Sequence, residues 1–336
     1  MNDFPKTEGA VAPFEAIALA ASLTVADVRA SAAWYRDVLG FAIAREYERY
    51  DDTVARAARD FGLERPAVLT ANPLTAAFAP FLWADGVTYF GRDDWASSPA
   101  RRRYWPAYRE AYRRISEQGI AVAAVSQQII DRIDPRGPHA VVPNGVEVGE
   151  WTGPAPAAPA WFDRIPGPRA TYVGTLDSRI DAEGIAALAR QRPDLQIVLI
   201  GPMPNPAEVE GVRGLSNVHI HGRLGRRDVV AVLRATELAL LAHRRTPLTE
   251  AMSPLKVYEY LAAGAPVIAT DLPPVHDLHD RVLLTDTVSD FADAVDRALA
   301  LGRASEPERL AFVEANSWES RHRVVLDLTF RSGAST

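Results

Sequence analysis

Between residues 171 and 301, short apolar runs alternate with segments of helical period, and few folds tolerate that pattern. Thr171–Val173 runs into Gly174. Leu195–Ile200 is continuously apolar and closed by Gly201-Pro202, as suits a parallel strand buried on both faces. Val218–His221, Leu238–Ala242 and Val267–Thr270 read as further strands, with helices at Ala182–Arg190, Arg227–Ala235, Pro254–Ala263 and Val288–Leu301. This spacing predicts βαβ units and a parallel sheet whose carboxyl edge is open to ligand. The front of the chain is also α/β but less regular. Strands are expected at Ala18–Val25, Phe41–Arg45, Ala67–Leu69, Val87–Phe90 and Ala121–Ser126, and helices at Ala26–Leu39, Tyr50–Phe61 and Pro106–Gln118. Between the two parts, Trp151–Ala170 carries Pro154, Pro156, Pro159, Pro166 and Pro168, a density that resists both helix and central strand. The expected architecture is therefore α/β with two Rossmann-like domains facing across a cleft. A front domain spans 1–150, a linker 151–170, and a back domain 171–336.

Composition removes whole classes of chemistry. The 336 residues include no cysteine, which excludes a disulfide framework, a Cys-ligated metal centre and a cysteine nucleophile. A net charge of −6 argues against a nucleic-acid partner held by overall positive potential. No apolar run reaches the ~18 residues of a membrane span, and the N-terminus lacks a signal-peptide layout, so a cytoplasmic protein is expected. Only Lys6 and Lys256 are lysines; every other basic side chain is arginine.

Lys256 falls in the most informative stretch, MSPLKVYEYLAAGAPVIATDLP, from Met252 to Pro273. A helix starting at Ser253-Pro254, just after a strand, turns the backbone N–H groups of Ser253, Leu255 and Lys256 toward the sheet edge. There they can hold an anion such as a diphosphate. Lysine in the first turn opposes the helix dipole unless an anion is present. Glu259, one turn on, could accept hydrogen bonds from vicinal hydroxyls. Spacing alone suits slightly better a capped amphipathic helix with Leu255, Tyr258 and Leu261–Ala262 in the core and Lys256–Glu259 as a surface pair.

The stretch closely resembles the donor-nucleotide signature of GT-B glycosyltransferases of the GT4-like group, especially a teichuronic-acid-type subgroup. Three further segments resemble the family in order and spacing: Pro143-Asn144-Gly145-Val146-Glu147, Thr171–Gly174, and Asn217–Gly222. The resemblance implies a nucleotide-sugar donor, no metal or other cofactor, and a sugar, lipid-linked or small-molecule acceptor. It implies diphosphate contacts at Ser253, Pro254, Leu255 and Lys256, ribose at Glu259, and the base near Gly222, Arg223 and Leu224. Gly174 and Thr175 stand where relatives carry a glycine and an arginine, so Arg179 or Lys256 must supply that charge. The glutamate that many relatives place eight residues before the ribose ligand is here Ala251, so its contact to the sugar is either missing or moved to Glu250.

In the front domain, Gly86–Trp95 reads as a strand delivering Asp93 and Asp94 to the cleft, either as a general base on an acceptor hydroxyl or as a helix cap with a solvated neighbour. Residues 100–117 interleave six arginines with Tyr104, Trp105, Tyr108 and Tyr112. The four-residue spacing of Tyr104, Tyr108 and Tyr112 suits a core-facing stripe; the alternative is a patch on anionic lipid headgroups or around a lipid-diphosphate acceptor. Residues 20–45 weakly resemble the opening βαβ of the glyoxalase, or vicinal oxygen chelate, fold. No histidine precedes His139, so no metal site is expected there, and the segment is expected to lend a strand and a helix to the front domain. Set against the GT-B resemblance, it implies an abbreviated front domain, with the first βα turn of the acceptor side shortened or missing. The function implied is sugar transfer in cell-surface polysaccharide, glycolipid or secondary-metabolite synthesis. The alternative is a degenerate homologue that binds the nucleotide sugar but has lost its acceptor site.

Overall fold

The structure, a computed structural model, describes residues 43–64 and 66–333. The chain divides into two units, residues 1–46 and 47–336, and the second is described by itself. The strand at 18–25, the helix at 26–39 and nearly all of the glyoxalase-like segment lie outside the described residues. Ile43–Arg45, expected in a strand, instead open helix α1 (Ile43–Asp60), because the segment has no Gly or Pro and its Ala, Arg and Glu favour helix throughout.

The front sheet contains β1 (Ala67–Thr70), β2 (Gly86–Gly91), β3 (Ala121–Ala124) and β4 (His139–Val141), in that spatial order and all parallel. Helices α2 (Pro73–Phe78), α3 (Trp105–Glu117) and α4 (Gln127–Ile133) connect them. Asn72 caps α2 by accepting from the Leu74 amide, and Ser126 caps α4 by accepting from Ile129. Tyr108, Tyr112 and Ile115 of α3 bury against Tyr89 and Val122, so the aromatic stripe does face the core.

The Pro-rich stretch is not a free linker. Helical turns α5 (Val148–Trp151) and α6 (Ala160–Asp163) bury Trp151 and Phe162, and Phe162 packs with Val198, Ile200 and Val232 of the back domain. Two aromatic anchors outweigh the prolines' resistance to regular structure.

The back sheet is built from β5 (Arg169–Val173), β6 (Gln196–Ile200), β7 (Val218–His221), β8 (Leu238–Leu241), β9 (Val267–Thr270) and β10 (Val282–Thr285). All strands are parallel, in the order β10-β9-β8-β5-β6-β7. Helices α7 (Ala182–Gln191) and α11 (Phe291–Leu301) cover one face, where Ile185, Leu188, Phe291 and Val295 meet Leu199 and Leu240. Helices α8 (Arg226–Ala235) and α10 (Leu255–Ala263) cover the other, with Val230, Tyr258 and Leu261 against Leu241 and Val267. The short α9 (Pro247–Ala251) stands between β8 and α10. The strand order reverses between β5 and β8, and a doubly wound sheet opens its ligand crevice at the carboxyl ends of such a pair.

The end of the chain corrects the expected domain limits. After α12 (Glu306–Ala315), α13 (Trp318–Gly333) leaves the back domain and lays Val325 and Leu328 on the front-sheet core. Buried Arg309 donates to the carbonyls of Trp151 and Ala262, and Val146 forms a bridge with Ser317, so the connections between the two sheets are packed together.

Candidate active site

The switch point places three segments side by side: Gly174–Thr175 after β5, Ala242–His243 after β8, and the first turn of α10. Lys256 does not lie on the surface, as the paired-helix reading had it. Its Nζ donates to Tyr172 Oη at 3.1 Å and to His243 Nε2 at 2.9 Å, and it stands 4.6 Å from the centre of the Tyr172 ring. Gly174, at φ 155°, leaves the room: a Cβ there would come within 2.9 Å of Lys256 Cε and 3.0 Å of Nζ. Gly201 at the end of β6 is bound by the same crowding, because its Cβ would fall 2.0 Å from the Gly174 carbonyl oxygen. Burial first, and then the charge of Arg179, push the Lys256 ammonium down to about 7, against Asp177 and Glu259. His243 is fully buried, and burial with the charges of Lys256 and Arg179 holds it well below its ordinary value. Arg179 is paired with Asp177 through bonds of 2.9 and 2.6 Å. Both cations named for the diphosphate thus share this crevice, while Thr175 contributes its carbonyl, which accepts from Tyr172 Oη at 3.3 Å.

Glu259 is buried and ion-paired with Arg226 at the start of α8, and Arg226 is also held by Glu150 of α5 at 2.5 and 2.8 Å. Burial raises the Glu259 carboxyl in spite of Arg226. This pair ties the Gly222–Leu224 turn, which leads into α8, to α10. Gly222 and Arg223 are exposed there, and Leu224 packs on the same core as Val173. Ser253 is buried: its Oγ accepts from the Asn144 amide at 3.1 Å, and its carbonyl accepts from Asn144 Nδ2 at 2.6 Å. Its role is to join the Pro143–Glu147 segment to the α10 turn. Pro254 caps α10, and Leu255 is 39% exposed at the helix start, not in the core. Ala251 is buried, with its carbonyl accepting from Ser126 at 2.5 Å, and Glu250 is half-buried beside it.

The two aspartates separate. Asp94 is buried and paired with Arg132, and its Oδ1 accepts from the Ala96 amide at 3.1 Å, so it braces the turn after β2. Asp93 is exposed at that turn. Desolvation by the surrounding protein raises its carboxyl in spite of Arg101, Arg92 and Arg179 across the cleft. Between the sheets lies a cavity of about 570 Å³ lined by Ser97, Trp105, Arg109 and Arg132 on one side and by Arg179 and Thr246 on the other. His243, Tyr172 and Arg226 were not singled out from sequence, and Asn144 was named only as part of the Pro143–Glu147 segment. For His243 and Tyr172 the available signal was position at or beside the carboxyl end of a strand flanking the switch point.

Residues 167–300 match the family Glycosyl transferases group 1, and residues 17–126 match the Glyoxalase/Bleomycin resistance protein/Dioxygenase superfamily. Within the second match, the described residues 67–124 form parallel strands of the front sheet with helices between them. A Bacillus subtilis (strain 168) protein named as the teichuronic acid biosynthesis glycosyltransferase TuaH is 29% identical over 104 residues. That match covers 30% of this chain and 26% of the relative, so the chain spans about a quarter of the curated relative's length. Among solved structures, a UDP-forming α,α-trehalose-phosphate synthase from Burkholderia xenovorans aligns with TM-score 0.60 at 15% identity, covering 86% of this chain and 79% of that one. A sucrose-phosphate synthase from Thermosynechococcus elongatus aligns with TM-score 0.62 at 18% identity, covering 88% and 80%. Two parallel sheets layered with helices, a switch-point crevice holding the lysine and arginine, and these structural likenesses lead to one conclusion: the chain has the GT-B fold, with residues 167–300 similar to the glycosyl transferases group 1 family.

Proposed function

We propose that the protein transfers a sugar from a nucleoside diphosphate sugar to an acceptor hydroxyl. The observation that carries this reading is the cluster of Lys256, Arg179 and the α10 N-terminus at the β5/β8 switch point of the back domain. The donor diphosphate lies against Lys256 and Arg179, and the charge left on it when the glycosidic bond breaks is met by the two cations and the helix dipole. Positive charge already in place can do the work of a divalent cation, so transfer proceeds in the presence of EDTA. Glu259 faces the ribose and must then share or release Arg226, while the base rests near Gly222–Leu224. The acceptor occupies the cavity beside Arg179, and Asp93, exposed at the turn after β2 and raised, takes the hydroxyl proton if the configuration is inverted. The presence of that cavity favours an enzyme over a relic without an acceptor site. The acceptor is a sugar, lipid-linked or small molecule.

Incubation with UDP-, GDP- and dTDP-sugars, followed by slow donor hydrolysis and by transfer to acceptor mixtures, tests the reading. Absence of both binding and hydrolysis with every donor overturns it. A peripheral membrane contact belongs to the same reading. Arg101 stacks on Trp95 at 4.1 Å, while Arg102 and Arg109 lie over Trp105, giving a cationic surface with an aromatic floor. Co-sedimentation with phosphatidylglycerol vesicles, but not with phosphatidylcholine vesicles, is the expected result. Among the described residues no helix is long and apolar enough to cross a membrane.

A further inference from the structure

At the crevice, packing does not explain the chemistry of His243. Its ring is fully buried, and its backbone is held on both sides, by the bridge to Ile180 and by Thr270 Oγ1 donating to its carbonyl at 2.8 Å. Leucine or phenylalanine would fill the space with no polar atom to satisfy. The imidazole instead leaves Nδ1 without a hydrogen-bond partner among the described residues, while Nε2 meets Lys256 Nζ at 2.9 Å. A buried ring beside Lys256 and Arg179 stays neutral, and facing an ammonium it must present a lone pair at Nε2 and carry its proton on Nδ1. Stability is given up at Nδ1 so that an acceptor stands at Nε2.

The Lys256 ammonium has three N–H donors. His243 Nε2 takes one. Tyr172 Oη, which lies 3.2 Å from His243 Nε2 and 3.3 Å from the Thr175 carbonyl, takes the second; with the Nε2 lone pair committed to the ammonium, its own proton goes to that carbonyl. One donor is left, at the carboxyl edge of β5 where Gly174 carries no side chain.

We propose that His243 is a positioning residue for Lys256, its Nε2 lone pair holding the ammonium protonated and turned so that the remaining N–H meets the departing diphosphate. This rests on the sugar-transfer reading for the ligand, but the hold of His243 on Lys256 exists without any ligand. The groups facing Lys256 are Tyr172 from β5, Asp177 and Arg179 from the following loop, His243 after β8, and Glu259 on its own helix. Only His243 is altered in the test, so the other charges remain constant.

The chain's two lysines make the measurement direct, because ε-¹³C-lysine labelling gives one Lys256 signal and one from Lys6. The full-length protein, His243→Phe and His243→Gln are titrated by NMR from pH 5.5 to 10, alone and with UDP or GDP. The expected result is a Lys256 midpoint lowered by at least half a pH unit in His243→Phe and returned toward the parent by His243→Gln, whose carbonyl oxygen replaces Nε2. With nucleotide, His243→Phe should bind at least fivefold more weakly at pH 8 and nearly normally at pH 6. An unchanged midpoint in His243→Phe overturns the proposal, even if nucleotide moves the signal. A shifted midpoint with no response to either nucleotide leaves the hold of His243 intact and counts against the sugar-transfer reading. If His243→Phe does not fold, a parent-like midpoint in His243→Leu overturns the proposal equally.

Discussion

At the scale of single residues, the correction at Lys256 changes what its removal does. A surface lysine would add little to stability, whereas here a partly enclosed ammonium opposes folding. Its folded value lies near 7, below the ordinary lysine value. Folding therefore releases a proton between about pH 7 and the ordinary value, and stability rises with pH across that window. Below pH 7 the ammonium is charged in both states and the penalty is complete. Lys256→Met should thus raise the melting temperature most at pH 6, with an advantage that fades above pH 7. The same variant should weaken nucleoside diphosphate binding by roughly 1.5–3 kcal/mol, the worth of a charge-assisted contact; equal affinity would remove the diphosphate from this position. Glu259→Gln should reduce affinity for UDP or GDP about tenfold more than for the 2′,3′-dideoxy analogue, and equal weakening of both would make Glu259 structural. The aspartates should part in the same way. Asp94→Asn, losing charge opposite Arg132, should lower stability by roughly 1–3 kcal/mol and leave nucleotide affinity alone. Asp93→Asn should keep the parent melting temperature and, for an inverting reaction, lower turnover by about 10²–10⁴. Parent turnover in Asp93→Asn would remove the base from that turn.

At the scale of elements, the back sheet was legible and the front was only half so. The strands β6, β8 and β9 are apolar at nearly every position because both of their faces are covered, and that continuity shows in sequence without any partner. β10 escaped because its burial is partial, and β4 because three residues cannot show a period. α13 escaped for another reason: its apolar positions serve a sheet that lies more than a hundred residues back in the chain. A chain ending at Ser317 should therefore uncover one face of the front sheet, including the partners of Val325 and Leu328. Increased binding of an apolar dye and loss of a single cooperative melt are expected, because each buried aliphatic side chain is worth about 1.5–3 kcal/mol. A truncated chain that melts as the parent does would show that the helix is dispensable.

At the scale of the whole described unit, the two sheets communicate through a few polar contacts as well as through packing. Asn144, just after the front sheet's last strand, is bonded twice to Ser253 in the turn that starts α10. The hinge segment is thereby joined to the helix that carries Lys256. Asn144→Ala removes the shorter, side-chain bond and should cost about 0.5–1.5 kcal/mol of stability. It should also weaken nucleotide binding, although no ligand atom touches Asn144 in this reading. Calorimetric melting together with nucleotide titration checks both effects, and parent values in both would mean that the hinge and the crevice are independent.

Local order and the donor signature were readable from the chain alone, because strand burial, a helix start and a glycine at a strand end are decided by neighbours a few residues away. Lys256, Glu259, Gly174 and the Asp93–Asp94 turn could be named on that basis. What each of them does was decided by contacts between distant segments. Lys256 met Tyr172 and His243, Arg226 claimed Glu259, Arg132 took Asp94 and left Asp93 exposed, and α13 returned to the front sheet. Periodicity reports which face of an element is apolar, but the identity of the group on the other side of a contact depends on strand order and chain return, and those exist only once the chain has folded.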